Sequence, residues 1–196
     1  MKVLHISYSY DYSDGGITTV VQQLIKEQKK TQIKVDWLAS NLFRNPFKRR
    51  KLIKEILKIN PTIVHLHGLW RLHTRITNDL LKAGISYVIT PHGMLDKWAL
   101  NQSQLKKIIS WNLWEKKALQ NSSFIQILSS GELGHVKKIN SAWKCHLISN
   151  GIILPTKKDF NSNAYPKSWE NKIPRNSNVL LFLGRFHKKK WINELI

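Results

Sequence analysis

The strongest constraint on this chain is a recurring pair of segments. A short apolar run stops at a turn, and a stretch with apolar residues at helical spacing follows. Lys2 to Tyr8 is the first such strand, followed by the turn-rich "SYSYDYSDGG" and a helix from Ile17 to Lys29 with Val20, Val21, Leu24 and Ile25 on one face. Ile33 to Ala39 is a second strand. Leu52, Ile53, Ile56 and Leu57 then make a helical stripe between Pro46 and Pro61. "TIVHLHG" and "ISYVITPHG" are strands that end in glycine, with a helix from Arg75 to Ala83 between them and Gly84 as its stop. A helix from Gln104 to Gln120, carrying Leu105, Ile108, Ile109, Trp111, Leu113 and Trp114, leads to the strand "SSFIQILS". A helix from Gly131 to Asn140 and the strand "KCHLISNGI" complete the series. This alternation predicts an α/β fold, a parallel sheet with helices on both faces.

The pattern breaks at residues 156–177, "TKKDFNSNAYPKSWENKIPRNS", which are polar, carry Pro166 and Pro174, and read as a linker. Beyond it, "NVLLFLGRFHKKKWINELI" reads as a strand, a turn and the opening of a helix. The expected organisation is one α/β domain over 1–155, a linker over 156–177, and the start of a second domain over 178–196.

Composition narrows the classes further. Lys and Arg number 32 against 12 acidic residues, a net charge of +20, which attracts anions: nucleic acid, anionic lipid or phosphorylated small molecules. The abundance of Lys and Asn also fits a compositional bias. No nucleic-acid-binding motif is present, so no specific nucleic-acid partner is expected. Cys145 is the sole cysteine, which excludes an internal disulfide, fits a reducing compartment and reads as a buried small apolar residue. No run approaches the length of a membrane span and the first residues lack a cleavage pattern, so a cytoplasmic protein is expected.

In doubly wound sheets, ligands sit beyond the carboxyl ends of the strands. "DGGITTVV" follows the first strand and opens a helix. Gly15 and Gly16 there form either an ordinary tight turn or a loop whose backbone approaches a diphosphate. "VHLHG" and "TPHG" place His67 and His92 directly before Gly68 and Gly93, where an imidazole can hydrogen-bond a hydroxyl or phosphate. His65 shares a strand face with His67 and has a purely structural reading. Zinc competes for His65, His67, His73 and His92, but no acidic or Cys partner sits at metal spacing, so no metal is expected. His135 and His146 carry no signal. In "GRFHKKK", Arg185 and Lys190 are either a solvated basic loop or a pair within reach of one anion.

The order of these motifs resembles the retaining GT-B glycosyltransferases of family 4. The resemblance runs through "DGGI", "IVHLHGLW", "YVITPHGMLDKWAL", "EKKAL", "ILSSGE", "LISNGI" and "LFLGRFHKKK", across nearly the whole chain. It implies two Rossmann-like domains facing a cleft, the amino-terminal one mainly holding the acceptor and the carboxy-terminal one the nucleotide sugar. It implies that Gly15 and Gly16 approach the donor diphosphate, that His92 lies beside the transferred sugar, and that Arg185 and Lys190 neutralise the leaving group. His67, Gly93 and Glu132 fall at the acceptor side of the cleft, and the family requires neither metal nor cofactor. Two departures stand out: Trp191 and Lys188 replace the family's usual glycine and proline, and the paired glutamates of the second domain have no counterpart in 196 residues.

The resemblance implies sugar transfer from a nucleotide donor to a glycan or lipid-linked acceptor in cell-surface polysaccharide synthesis. The chain is expected to be a truncated form without activity alone, or half of a split transferase served by a complementary carboxy-terminal chain. An acceptor- or membrane-binding module is the alternative. "RNPFKRRKLIKEILK", with seven Lys/Arg against one Glu, pairs a basic face with an apolar stripe suited to the inner face of an anionic membrane, and Trp98, Trp111 and Trp114 could add to it.

Overall fold

In the computed structural model, residues 1–12, 15–43 and 48–152 are described. Met1–Gly151 forms one compact unit. The expected linker over 156–177 and the strand and turn over 178–196, with Arg185, Lys188, Lys190 and Trp191, lie outside the described residues.

Six strands form one sheet: β1 (Lys2–Ser7), β2 (Lys34–Ala39), β3 (Ile63–His67), β4 (Ser86–Thr90), β5 (Ile125–Ile127) and β6 (Cys145–Leu147). Their order is β2-β1-β3-β4-β5-β6 and every pairing is parallel. Parallel neighbours need a crossover between them. The helices supply it: α1 (Gly16–Gln28), α2 (Lys48–Ile59), α3 (Leu72–Arg75), α4 (Thr77–Lys82), α5 (Lys97–Leu100), α6 (Gln104–Ser110), α7 (Lys116–Gln120) and α8 (Ser130–Ile139).

The pleat divides the sheet into two unlike faces. Register aligns Leu4 with Val64 and Tyr87, and Ile6 with Leu66 and Ile89. These side chains join one buried cluster with Leu52 and Ile56 of α2, Leu80 of α4, Leu119 of α7 and Val136 of α8. Tyr87 ties β4 to α7 by donating its hydroxyl to the Ala118 carbonyl at 2.9 Å. The opposite face carries Val3, His5 and Ser7 of β1 and, by register, His65 and His67 of β3 and Thr90 of β4. There α1 packs on β1 and β2, and its Gln28 reaches His5.

Three helical expectations are corrected. The helix expected over Arg75 to Ala83 is two short helices that meet at Ile76, itself fully buried. The helix over Gln104 to Gln120 is not uniform, because Trp111–Glu115 forms a π turn between α6 and α7. Its apolar side is not core: Leu105 is 80% exposed and Ile108, Ile109 and Leu113 are exposed too. The stripe of α2 behaves oppositely. Leu52 and Ile56 are buried in the main cluster and Ile53 packs against it, while Leu57 is exposed. Cys145 is half-buried at the edge of the core rather than inside it, and burial raises its thiol pKa.

Candidate functional site

The strand order reverses direction at β1, whose neighbours are β2 and β3. In doubly wound sheets such a reversal is where loops diverge and ligands bind, beyond the carboxyl ends of the two strands. Gly15 precedes α1 in a conformation with φ +107°, which L side chains rarely adopt, and Gly16 begins the helix. Among the described residues no side chain caps α1, and no acidic residue sits in its first turn. Its leading N–H groups thus keep their partial positive charge. A Cβ at Gly16 would meet nothing within 4 Å among the described residues.

Gly68 links this turn to the next. It has φ +86°, donates its N–H to the Thr90 carbonyl at 2.8 Å, and a Cβ there would lie 3.1 Å from Met94 Cε and 3.6 Å from Ile17 Cδ1. Gly68 therefore sits between the start of α1 and the loop after β4. That loop turns tightly: Met94 N–H donates to the Pro91 carbonyl at 3.2 Å, and the two central residues, His92 and Gly93, have φ +54° and +71°. A histidine in the left-handed region costs on the order of 1 kcal/mol, and such residues cluster at ligand sites.

Glu132 holds this turn from below. Ser129 caps α8 by accepting the Glu132 N–H at 3.2 Å. The Glu132 carboxylate accepts the Gly93 N–H at 2.6 Å and the Leu128 N–H at 2.9 Å. Both oxygens are thus engaged by backbone amides, which fixes the loop bearing His92.

The histidines lie on the polar face of the sheet. His67 Nδ1 is 3.2 Å from His92 Nε2, and His67 Nε2 is 3.0 Å from His5 Nδ1. His5 Nε2 is 2.7 Å from Gln28 Oε1, and His65 Nε2 is 2.7 Å from the Thr90 hydroxyl. Burial lowers the pKa of all four, with His65 at about 3 and His92 at about 4, so the rings are neutral near pH 7. His73 is a satisfied core histidine. Its Nε2–H donates to the Gly68 carbonyl at 3.2 Å and its Nδ1 lies 3.0 Å from the Ser40 hydroxyl. His135 contacts Asp96 at 3.3 Å and His146 packs edge-on to Phe124.

His5, His65 and His67 bring ring nitrogens within 4.8 Å of one another, a grouping capable of holding a metal ion. The arrangement suits hydrogen bonding better than coordination. The His65 and His67 rings stack with centroids 4.0 Å apart, and the approaching His5 and His67 nitrogens already face each other as a hydrogen-bonded pair. A zinc ion would need three ligands aimed at one point about 2.0 Å from each nitrogen.

His5 and Gln28 were not among the expected site residues. The available signal was a histidine inside a buried parallel strand, where a continuous apolar run is the rule. Glu115 was also missed. It is fully buried, accepts the Trp70 N–H at 2.6 Å and the Thr74 hydroxyl at 2.7 Å, and so holds the loop after β3. Trp70 itself has φ +64°.

The parallel sheet, its strand order and its covering helices define an α/β Rossmann-like domain. The sequence of residues 36–154 matches the model of Glycosyltransferase Family 4, and the chain belongs to that family, as an amino-terminal domain of the GT-B type. No curated protein matches the chain.

Proposed function

We propose that this domain acts in retaining transfer of a sugar from a nucleotide donor to a glycan or lipid-linked acceptor of cell-surface polysaccharide synthesis, without a metal. The observation that carries the reading is the convergence of the Gly15–Gly16, Gly68 and His92–Gly93 turns in a family 4 sheet. The donor diphosphate lies against Gly15, Gly16 and the start of α1. His92 contacts the transferred sugar and Gly93 lies on the acceptor side, with the buried His67 and Glu132 behind them holding the turn. When the sugar–oxygen bond breaks, negative charge grows on the diphosphate, and Arg185 with Lys190 offsets it. A complementary chain bearing the second domain is the alternative source of donor contacts.

The lipid-linked form of the acceptor draws support from the helix after β4. Leu105, Ile108, Ile109 and Leu113 are exposed, among exposed Lys97, Lys106, Lys116 and Lys117. Beside them, Trp70, Leu100, Lys107, Ile108 and Trp111 line an apolar cavity of about 500 Å³. No helix among the described residues is long and apolar enough to cross a membrane. Such a face suits peripheral contact with an anionic bilayer. NMR titration with nucleotide sugars is expected to shift the Gly16 and Gly68 amides, and a polyprenyl-diphosphate sugar to shift Gly93. Silence at all three with every ligand tried would refute the reading. Pelleting with anionic vesicles, lost in an Ile108→Glu/Ile109→Glu double variant, tests the surface contact; equal pelleting of both proteins would sink it.

A further inference from the structure

We propose that Gln28, His5 and His67 form a buried hydrogen-bonded relay that fixes which nitrogen of His92 carries the proton. The chain of contacts is Gln28 Oε1 to His5 Nε2 at 2.7 Å, His5 Nδ1 to His67 Nε2 at 3.0 Å, and His67 Nδ1 to His92 Nε2 at 3.2 Å. An amide oxygen only accepts, so His5 carries its proton on Nε2. Its Nδ1 is then a lone pair, which requires the proton of His67 on Nε2. The Nδ1 of His67 is a lone pair in turn, which requires Nε2–H on His92. Every link has one donor and one acceptor. A second proton on His5 or His67 would set two N–H groups face to face at the next link unless every ring beyond it switched tautomer.

The consequence falls at the far end. His92 Nδ1 is left as a lone pair with no hydrogen-bond partner among the described residues, on the residue whose backbone is held left-handed at the crevice. It accepts a hydrogen bond from a ligand hydroxyl and rejects a phosphate oxygen. The relay is not a route for exporting protons, because it stops at an amide that does not take one up. His5, His67 and Gln28 are positioning residues that act through His92.

A neighbouring branch has the same polarity. Gln126 donates from Nε2 to the Ile148 carbonyl at 2.9 Å, which orients its amide. Its Oε1 accepts from the Thr90 hydroxyl at 3.1 Å, and that hydroxyl oxygen accepts the Nε2–H of His65 at 2.7 Å. The stacked rings of His65 and His67 therefore carry their protons on the same nitrogen.

The tautomer claim stands on geometry alone, and its effect on binding rests on the cleft role of His92 proposed above; the two are read separately. In ¹⁵N-histidine-labelled full chain, nitrogen–nitrogen couplings across hydrogen bonds are expected from His92 Nε2–H to His67 Nδ1 and from His67 Nε2–H to His5 Nδ1. Gln28→Leu, at a half-buried helix position, should bring up a second His92 population protonated on Nδ1. It should also weaken hydroxyl-bearing ligands by about 5-fold, the worth of one hydrogen bond. A wild-type His92 protonated on Nδ1, absent couplings, or a single unchanged tautomer in Gln28→Leu would overturn the relay. So would stoichiometric Zn²⁺ binding that erases the His5 and His67 N–H signals, which would make the cluster a metal centre. An altered tautomer with unaltered ligand binding would leave the relay standing and remove His92 from the ligand site.

Discussion

Glu115 should make this domain less stable as pH rises from weakly acidic to weakly basic, and replacing it by glutamine should remove that loss. The carboxyl is fully buried. One oxygen accepts from the Trp70 N–H, the Thr74 hydroxyl and the Trp114 indole N–H at 2.6, 2.7 and 2.9 Å, while Oε2 has no hydrogen-bond partner among the described residues. Burial raises its pKa from 4.5 to about 7, against the opposing pull of those three donors and of Arg75. Between these values the unfolded chain has released a proton that the folded chain still holds. Stability therefore falls with rising pH through that window, and the loss is complete above about pH 7. At about 1.4 kcal/mol per pH unit, the window is worth about 3 kcal/mol. Glu115→Gln keeps an acceptor for the three donors and cannot ionise. In urea titrations at about pH 5 and about pH 8.5, the stability of the variant relative to wild type should grow by about 2–3 kcal/mol. Histidine contributions common to both proteins cancel in that difference. Parallel pH profiles would refute the argument that burial dominates the site.

Two further expectations concern the same loops. His73, whose pKa burial lowers from 6.5 to about 4, resists a proton that the unfolded chain accepts, so stability falls as pH drops through that interval. His73→Gln should flatten the acid limb of a denaturation profile by up to about 3 kcal/mol, and an unchanged limb would count against it. Gly68→Ala should cost about 1–2 kcal/mol in urea unfolding because of its positive φ, whereas Gly16→Ala, in open space at a helix start, should cost under about 0.5 kcal/mol. Equal costs would show that the crevice glycines are retained for the same reason.

The sheet was legible because parallel strands buried on both faces must be short and apolar, and the turns between them must carry glycine or proline. "VHLHG" and "TPHG" also marked the carboxyl edge, so the residues flanking the crevice could be named from spacing. What stayed hidden depends on which side of an element faces the core. Leu52 and Ile56 in α2 and Leu105 and Ile109 in α6 show the same i,i+4 spacing, yet the first pair is buried and the second exposed. Periodicity reveals a stripe but not what covers it. The π turn at Trp111–Glu115 ends on Glu115, whose partner on the β3 loop lies 45 residues distant in sequence. His5 was hidden because its partners lie on another strand and on α1, joined only by register.

The two faces of the sheet should tolerate change differently. On the aliphatic face, dispersion has no direction, so Leu66 or Ile89 can be exchanged for another hydrocarbon of similar volume at modest cost. On the imidazole face each ring is fixed by the proton pattern of the next, and a single replacement leaves a donor facing a donor or a lone pair facing a lone pair. Drift along one side of β1 and β3 can thus proceed one residue at a time. On the other side, its permitted steps are coordinated exchanges of several residues together.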